Sequence, residues 1–105
     1  MINPQRGEVA LIVEGEARRM RLTLGALAAL EARLDASGLI GLAERFEGGG
    51  VRGEDLIALL TAGLNGGGAD VSEAEVAAMS FDGGVMAAAE AAGALLAATF
   101  RGGAA

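Results

Sequence analysis

The stretch that decides the fold lies near the start of the chain, where residues 8–22 read EVALIVEGEARRMRL. Val9, Leu11 and Val13 recur at every second position, a period that is typical of a β-strand. Gly15 supplies the positive φ that a tight hairpin turn requires. Residues 17–23 then form the return strand. The sequence therefore predicts an N-terminal β-hairpin.

The two faces of this hairpin follow from its loop. A two-residue loop at Gly15 and Glu16 pairs Leu11 with Met20 and places Val9 opposite Leu22. The opposite, outward face carries four residues: Ala10, Ile12, Arg19 and Arg21. A sheet of two strands leaves both edges unpaired, so a partner strand could add to either edge by β-augmentation.

The rest of the chain has helical periodicity. Thr23 is a candidate N-cap for an amphipathic helix whose apolar side is formed by Leu24, Leu27, Leu30 and Leu34. Three further helices are predicted near residues 39–47, 54–64 and 72–79, separated by glycine-rich segments. The last of these three opens with a capping box of Ser72 and Glu75.

A final helix is predicted from Val85 to about Phe100. Its inward stripe is expected to contain Val85, Ala89, Ala92, Leu96 and Phe100. Alanines surround these positions, so the helix is apolar nearly all round. It is either a central buried helix or one whose small-residue face docks a helix from another chain.

The predicted fold is a single small α+β domain spanning residues 1–105. In it, an N-terminal β-hairpin packs on four to five short helices, and most of the chain is helical. Residues 1–6 and 102–105 are expected to be flexible ends.

Composition excludes several classes of function. The chain has no Cys, His, Lys, Trp or Tyr, so the common nucleophile–base pairs and zinc sites cannot form. We therefore predict a protein that is not an enzyme, with no catalytic, metal or cofactor residues. A net charge of −6 argues against binding nucleic acid, and no apolar stretch approaches the ~20 residues of a membrane span. Without an N-terminal signal core, the expected location is the cytoplasm.

One charge cluster is a candidate binding surface. Arg18, Arg19 and Arg21 lie on the return strand, near Ile12 of the first strand. The cluster is either a solvated face that protects a sheet edge from aggregation or an anchor for an acidic partner, since arginine is enriched at interfaces. These four residues are the predicted partner-binding site.

The order of segments resembles a known family. The similarity is carried by residues 6–11 (RGEVAL), 21–31 (RLTLGALAALE), 81–84 (FDGG) and 95–100 (LLAATF). These segments resemble the small tail proteins of alphaproteobacterial gene transfer agents, which are grouped with phage tail assembly chaperones. The similarity covers almost the whole chain.

The resemblance implies a non-enzymatic role in building a phage-like tail. A tail assembly chaperone holds the tape-measure protein soluble until tail-tube subunits polymerise around it, so the expected partners are tape-measure and tail-tube proteins, together with further copies of the chain. The alternative is a structural tail (tube) component of a gene transfer agent or prophage particle. The chaperone is favoured because tube subunits are usually β-rich, whereas this chain predicts one hairpin. The expected location is the bacterial cytoplasm or a phage-like particle.

Overall fold

The structure, a computed structural model, describes residues 7–34, 41, 44, 46 and 52–101. A hairpin of β1 (Val9–Val13) and β2 (Glu16–Met20) comes first. The helices whose bounds lie in the described residues are α1 (Leu24–Leu34), α2 (Gly53–Gly66), α3 (Glu73–Ala77) and α4 (Gly84–Arg101). The predicted class, an N-terminal hairpin with a mostly helical remainder, is confirmed.

Two predictions concern residues that are only partly described. In the helix expected at residues 39–47, Gly41, Glu44 and Phe46 are helical, and its other residues lie outside the described part of the chain. The ends expected to be flexible, residues 1–6 and 102–105, also lie outside it.

The hairpin register differs from the prediction by two residues. The loop consists of Glu14 and Gly15, both with positive φ (50° and 82°), so Val9 pairs with Met20 and Leu11 with Arg18. A turn with positive φ at both central residues favours glycine at the second of them, and this chain places Gly15 there. Because side chains alternate with a period of two, a shift of two residues changes each pairing and keeps every residue on its predicted face.

The helix starts depend on local side-chain caps. Thr23 Oγ1 accepts a hydrogen bond from Ala26 N at 3.0 Å, which confirms the predicted N-cap of α1. The predicted capping box of α3 is also present: Ser72 Oγ accepts from Glu75 N at 3.1 Å, and Glu75 Oε1 accepts from Ser72 N at 2.9 Å. At the start of α2, the carboxylate of the buried Asp55 accepts from Arg52 N at 3.3 Å.

The core lies between the inner face of the hairpin and the helices. Met20, Leu59, Leu60, Leu64 and Leu95 are almost completely inaccessible to solvent. Each such side chain contributes about 1.5–3 kcal/mol through burial. Leu24, in contrast, is 79% exposed, although it was predicted to belong to the apolar side of α1. It is the first residue of α1, at the end of the stripe, and the three leucines that follow at helical spacing are buried.

Both edges of the two-stranded sheet are partly covered. The end of β1 is paired with a short segment before α4, because Asp82 N donates to Ile12 O at 3.1 Å and Glu14 N donates to Ser80 O at 3.2 Å. After β2, Arg21 N donates to Gly63 O of α2 at 2.9 Å. Since an isolated hairpin is marginally stable in water, these contacts secure it.

Glycine at the end of α2 makes the hydrogen bond between Arg21 N and Gly63 O sterically possible. A Cβ atom at residue 66 would overlap the carbonyl oxygen of Arg21, and a Cβ atom at residue 67 would overlap that of Arg19. The backbones of α2 and β2 therefore approach more closely than any residue with a side chain would allow.

The rotation of α4 differs from the prediction. Ala92 and Leu96 of the expected inward stripe are buried as predicted, together with Ala88 and Leu95. Val85 and Ala89 of that stripe are exposed, and Phe100 is 39% exposed. Alanine is compatible with either side of a helix, so the sequence did not fix the rotation. The helix is neither wholly buried nor wholly free, and one of its sides faces solvent.

Candidate partner-binding surface

The outer face of the hairpin brings together two of the four predicted binding residues. Ile12 lies opposite Ala17, and Arg19 lies opposite Ala10, so Ile12 and Arg19 are diagonal neighbours on one face. Ile12 is 38% exposed, although it belongs to a strand whose neighbours Leu11 and Val13 are buried. The result is an apolar side chain beside a guanidinium on an open surface.

The guanidinium of Arg19 is held in position by one hydrogen bond and one ion pair. Its Nε donates to Gly67 O at 3.2 Å, and its Nη1 lies 4.0 Å from Glu8 Oε2. Glu8 is buried, while about half of the Arg19 side chain is exposed. These contacts fix the direction of the guanidinium and leave part of it accessible.

The other two arginines differ in accessibility. Arg21 lies one residue beyond β2 and is exposed, and no carboxylate of the described residues lies within 4.0 Å of it. Arg18 lies opposite Leu11, on the face away from Ile12, and is half-buried. Its Nε atom is buried and has no hydrogen-bond partner among the residues that the structure describes. Ile12, Arg19 and Arg21 are thus available to one partner, and Arg18 points to the other side of the sheet.

The edges of this sheet are less available than the sequence suggested. The prediction that both edges are unpaired is wrong at Ile12–Glu14 and at Arg19–Arg21, where the segment before α4 and the end of α2 cover them. Gly15 N also donates to Asp82 Oδ1 at 3.2 Å, so Asp82 stabilises the hairpin turn. The face of the hairpin is therefore a better candidate for partner contact than its edges.

The second candidate surface is on the last helix, whose small-residue face the sequence offered for docking, whereas the groove beside the start of this helix was not singled out. An apolar groove of about 170 Å³ lies between α2, α3 and α4, and its lining includes Leu56, Ile57, Phe81, Val85 and Ala88. Val85 and its neighbour Met86 are 70% and 74% exposed. Two adjacent large apolar residues at the start of an alanine-rich helix are the signal that could have indicated this surface.

A polar side-chain pair lies between α1 and α3. Arg33 Nε and Nη2 donate to the two carboxylate oxygens of Glu73 at 3.2 and 3.1 Å, beside a cavity of about 180 Å³. These hydrogen bonds and the charge of Glu73 raise the pKa of Arg33 above its ordinary value. The pair joins two exposed helix surfaces and offers no reactive group.

Within the described residues, no group of three or more His, Cys, Asp or Glu side chains is arranged to hold a metal ion. Among the helices in the same part of the chain, none is long and apolar enough to cross a membrane.

Comparison with known proteins gives one result. Searches of curated proteins and of solved structures found no match. The family model described as "Phage tail tube protein, GTA-gp10" matches residues 6–102, which include the hairpin and all four helices. The chain therefore belongs to the phage tail tube protein family of GTA-gp10.

Proposed function

We propose that the chain is a structural component of a phage-like tail, in the particle of a gene transfer agent or a prophage. The family match over residues 6–102 carries this proposal. The description of the family supports a tail-tube role more than the tail assembly chaperone that the chain's low β content favoured. In this role the chain takes part in no covalent chemistry and acts through contacts with neighbouring tail proteins.

We infer that the outer face of the hairpin makes one of these contacts. Ile12 supplies an exposed apolar side chain and Arg19 a guanidinium fixed by Gly67. Arg21 supplies a guanidinium with no carboxylate of the described residues within 4.0 Å. A matching partner surface has carboxylates around an apolar patch, since interfaces pair complementary charges around desolvated apolar contacts. Arg18 contributes from the other face of β2 only if the partner reaches around the strand.

The assembly chaperone is the second candidate, with tape-measure and tail-tube proteins as its partners in the cytoplasm. The exposed apolar surface at Val85 and Met86 favours it, because a protein that binds its clients transiently leaves an apolar surface accessible between binding events.

A count of the chain in purified particles separates the two roles. The structural role predicts many copies per particle, in a fixed ratio to the other tail proteins, as measured by quantitative mass spectrometry. Absence from particles, with recovery of the tape-measure protein in a pull-down from producing cells, would reject the structural role in favour of the chaperone.

The hairpin surface is tested in the same particles. Arg21→Glu and Ile12→Ser are each expected to weaken the contact by roughly 1.4 kcal/mol, which lowers its association constant about tenfold, and so to lower the yield of complete tails. Arg52→Glu is the matched control, because Arg52 is equally a surface arginine but lies at the start of α2. If Arg21→Glu and Ile12→Ser give as many complete tails as the Arg52→Glu control, the hairpin face is excluded as a contact surface.

A further inference from the structure

The side chain of Asn65 closes the glycine-rich turn that follows α2. Its Nδ2 donates to Val71 O at 2.9 Å, and its Oδ1 accepts from Val71 N at 2.8 Å. The carboxamide therefore pairs with both backbone groups of one residue, and it joins the end of α2 to the segment before α3. Asn65 is exposed, so water reaches the turn.

The residue after Asn65 makes this carboxamide chemically vulnerable. Asn65 is followed by Gly66, which has no side chain to hinder the approach of its backbone nitrogen to a neighbouring group. That nitrogen can attack Cγ of Asn65 and close a five-membered succinimide ring. The other asparagine of the chain, Asn3, precedes Pro4, whose nitrogen carries no hydrogen and cannot react in this way.

We propose that Asn65 is a modification site, at which the native fold suppresses deamidation and local unfolding of the turn permits it. In the reaction, Gly66 N loses its proton to base and bonds to Cγ of Asn65, while the Cγ–Nδ2 bond breaks and Nδ2 leaves as ammonia. Water then opens the ring at either of its two carbonyl carbons. One product is an aspartate, and the other is an isoaspartate, in which the main chain continues through Cβ and Cγ. Water is the sole co-reactant.

Two features of the fold suppress this reaction. Both hydrogen bonds to Val71 have to break before Cγ of Asn65 can turn towards Gly66 N. Asn65 and Gly66 are also the last two residues of α2, and ring closure needs a ψ at Asn65 far from the helical value of about −42°. The reactive state is therefore one in which the turn and the last residues of α2 have opened locally.

The modified residue no longer fits the native fold. An isoaspartate adds one carbon atom to the main chain directly before Gly66 and Gly67, where a Cβ would already overlap the carbonyl oxygen of Arg21 or Arg19. The main chain has no room to shift there. An aspartate leaves the main chain unchanged, but it cannot donate to Val71 O, and its carboxylate faces that carbonyl oxygen instead. Both products therefore lower stability, and the isoaspartate lowers it more.

The same change extends to the outer face of the hairpin. Gly67 O, which accepts from Arg19 Nε and orients the guanidinium, lies only two residues after the modified position. A chain that stays folded keeps Asn65 and this contact. A chain that remains open long enough to react loses both, and it cannot regain them by refolding because the reaction releases ammonia.

Timed incubation of the full chain at mildly alkaline pH, followed by peptide mapping with mass spectrometry, tests the proposal. The incubation is run in buffer and in urea that unfolds the chain. We expect the amide-to-acid mass increase at Asn65 to appear at least about tenfold more slowly in buffer, because two hydrogen bonds must open first. Asn65→Gln is the matched control, since its ring is one atom larger and closes far more slowly. Asp82 also precedes a glycine, but it isomerises without a change of mass.

A second measurement tests the consequence for the fold. The isoaspartate chain is separated by chromatography and refolded, and its urea midpoint is compared with those of the unmodified chain and of Asn65→Asp. We expect Asn65→Asp to lower the midpoint by about 0.5–1 M, and the isoaspartate to lower it further.

Three results would overturn the proposal: equal reaction rates in buffer and in urea, no mass increase at Asn65 in the unfolded chain, or an isoaspartate chain as stable as the unmodified one. None of them depends on the tail role, because the isolated chain is measured. The particle count can therefore fail while this proposal holds, and the reverse.

Discussion

The close approach of α2 to β2 makes Gly66 the most informative single position in the fold. Replacing glycine with alanine inside a helix normally stabilises it by up to about 1 kcal/mol. Here the added Cβ would overlap the carbonyl oxygen of Arg21, and Cβ atoms essentially never lie closer than 3.0 Å to a heavy atom of a residue that is not their neighbour in the chain. The backbones of α2 and β2 must therefore move apart.

The cost of this movement follows from the contacts it breaks. Separation lengthens the hydrogen bond from Arg21 N to Gly63 O, which contributes about 1 kcal/mol. It also disturbs packing around the buried Met20, and overpacking of this kind costs about 1–3 kcal/mol. The higher helix propensity of alanine offsets up to about 1 kcal/mol of these costs. We therefore expect Gly66→Ala to lower the free energy of unfolding by about 1–3 kcal/mol.

Gly93→Ala is the matched control, because Gly93 also lies in a helix and a Cβ there meets nothing within 4 Å. It should raise the free energy of unfolding by about 1 kcal/mol. Urea titration followed by circular dichroism measures both, since the chain has no Trp or Tyr to report by fluorescence. Both variants are titrated at the same protein concentration, so that any association contributes equally to the two midpoints.

The two glycine variants should shift the urea midpoint in opposite directions, by about 1 M each way for typical urea slopes. If Gly66→Ala is as stable as Gly93→Ala, α2 and β2 do not approach as closely as described, and the account of how the hairpin is secured fails.

Three further substitutions test other parts of the fold by the same urea titration. Glu14→Asn should stabilise the chain by about 0.5–1 kcal/mol, because Glu14 has positive φ and Asn before Gly15 suits this turn; a loss of stability would contradict the turn geometry. Ser72→Ala should cost about 1 kcal/mol by removing the acceptor for Glu75 N, and an unchanged midpoint would show that this cap contributes nothing. Leu95→Ala should cost about 2–5 kcal/mol because the side chain is fully buried, and a cost below 1 kcal/mol would place Leu95 outside the core.

The sequence predicts this fold best where polar and apolar residues alternate clearly. Val9, Leu11 and Met20 were assigned to the inner face of the hairpin, and the strand period kept that assignment valid although the loop was placed one residue too late. The caps at Thr23 and Ser72 were predictable because they depend on side chains within three residues. Such features are local, so a single sequence contains them.

The remaining features depend on contacts between distant parts of the chain. No local pattern indicates that Gly66 lies against Arg21 or that Asp82 accepts a hydrogen bond from Gly15. The inward side of α4 was predicted correctly at Ala92 and Leu96 and wrongly at Val85 and Ala89, because alanine fits a buried or an exposed side of a helix equally well. In the candidate site, strand alternation in the sequence was enough to place Ile12 and Arg19 on one face. The hydrogen bond from Arg19 Nε to Gly67 O, which orients the guanidinium, could be seen only in the structure.

The segment that completes the hairpin edge has a consequence for synthesis of the chain. The hairpin ends at Met20, yet its β1 edge is covered by Ser80–Asp82, which the ribosome adds about 62 residues later. At about 5–20 residues per second, this strand edge stays uncovered for about 3–12 s on every nascent chain. During that interval, neighbouring nascent chains expose the same edge, and pairing between them competes with folding. A slower-translated message therefore increases the risk of aggregation during synthesis without changing the stability of the finished protein.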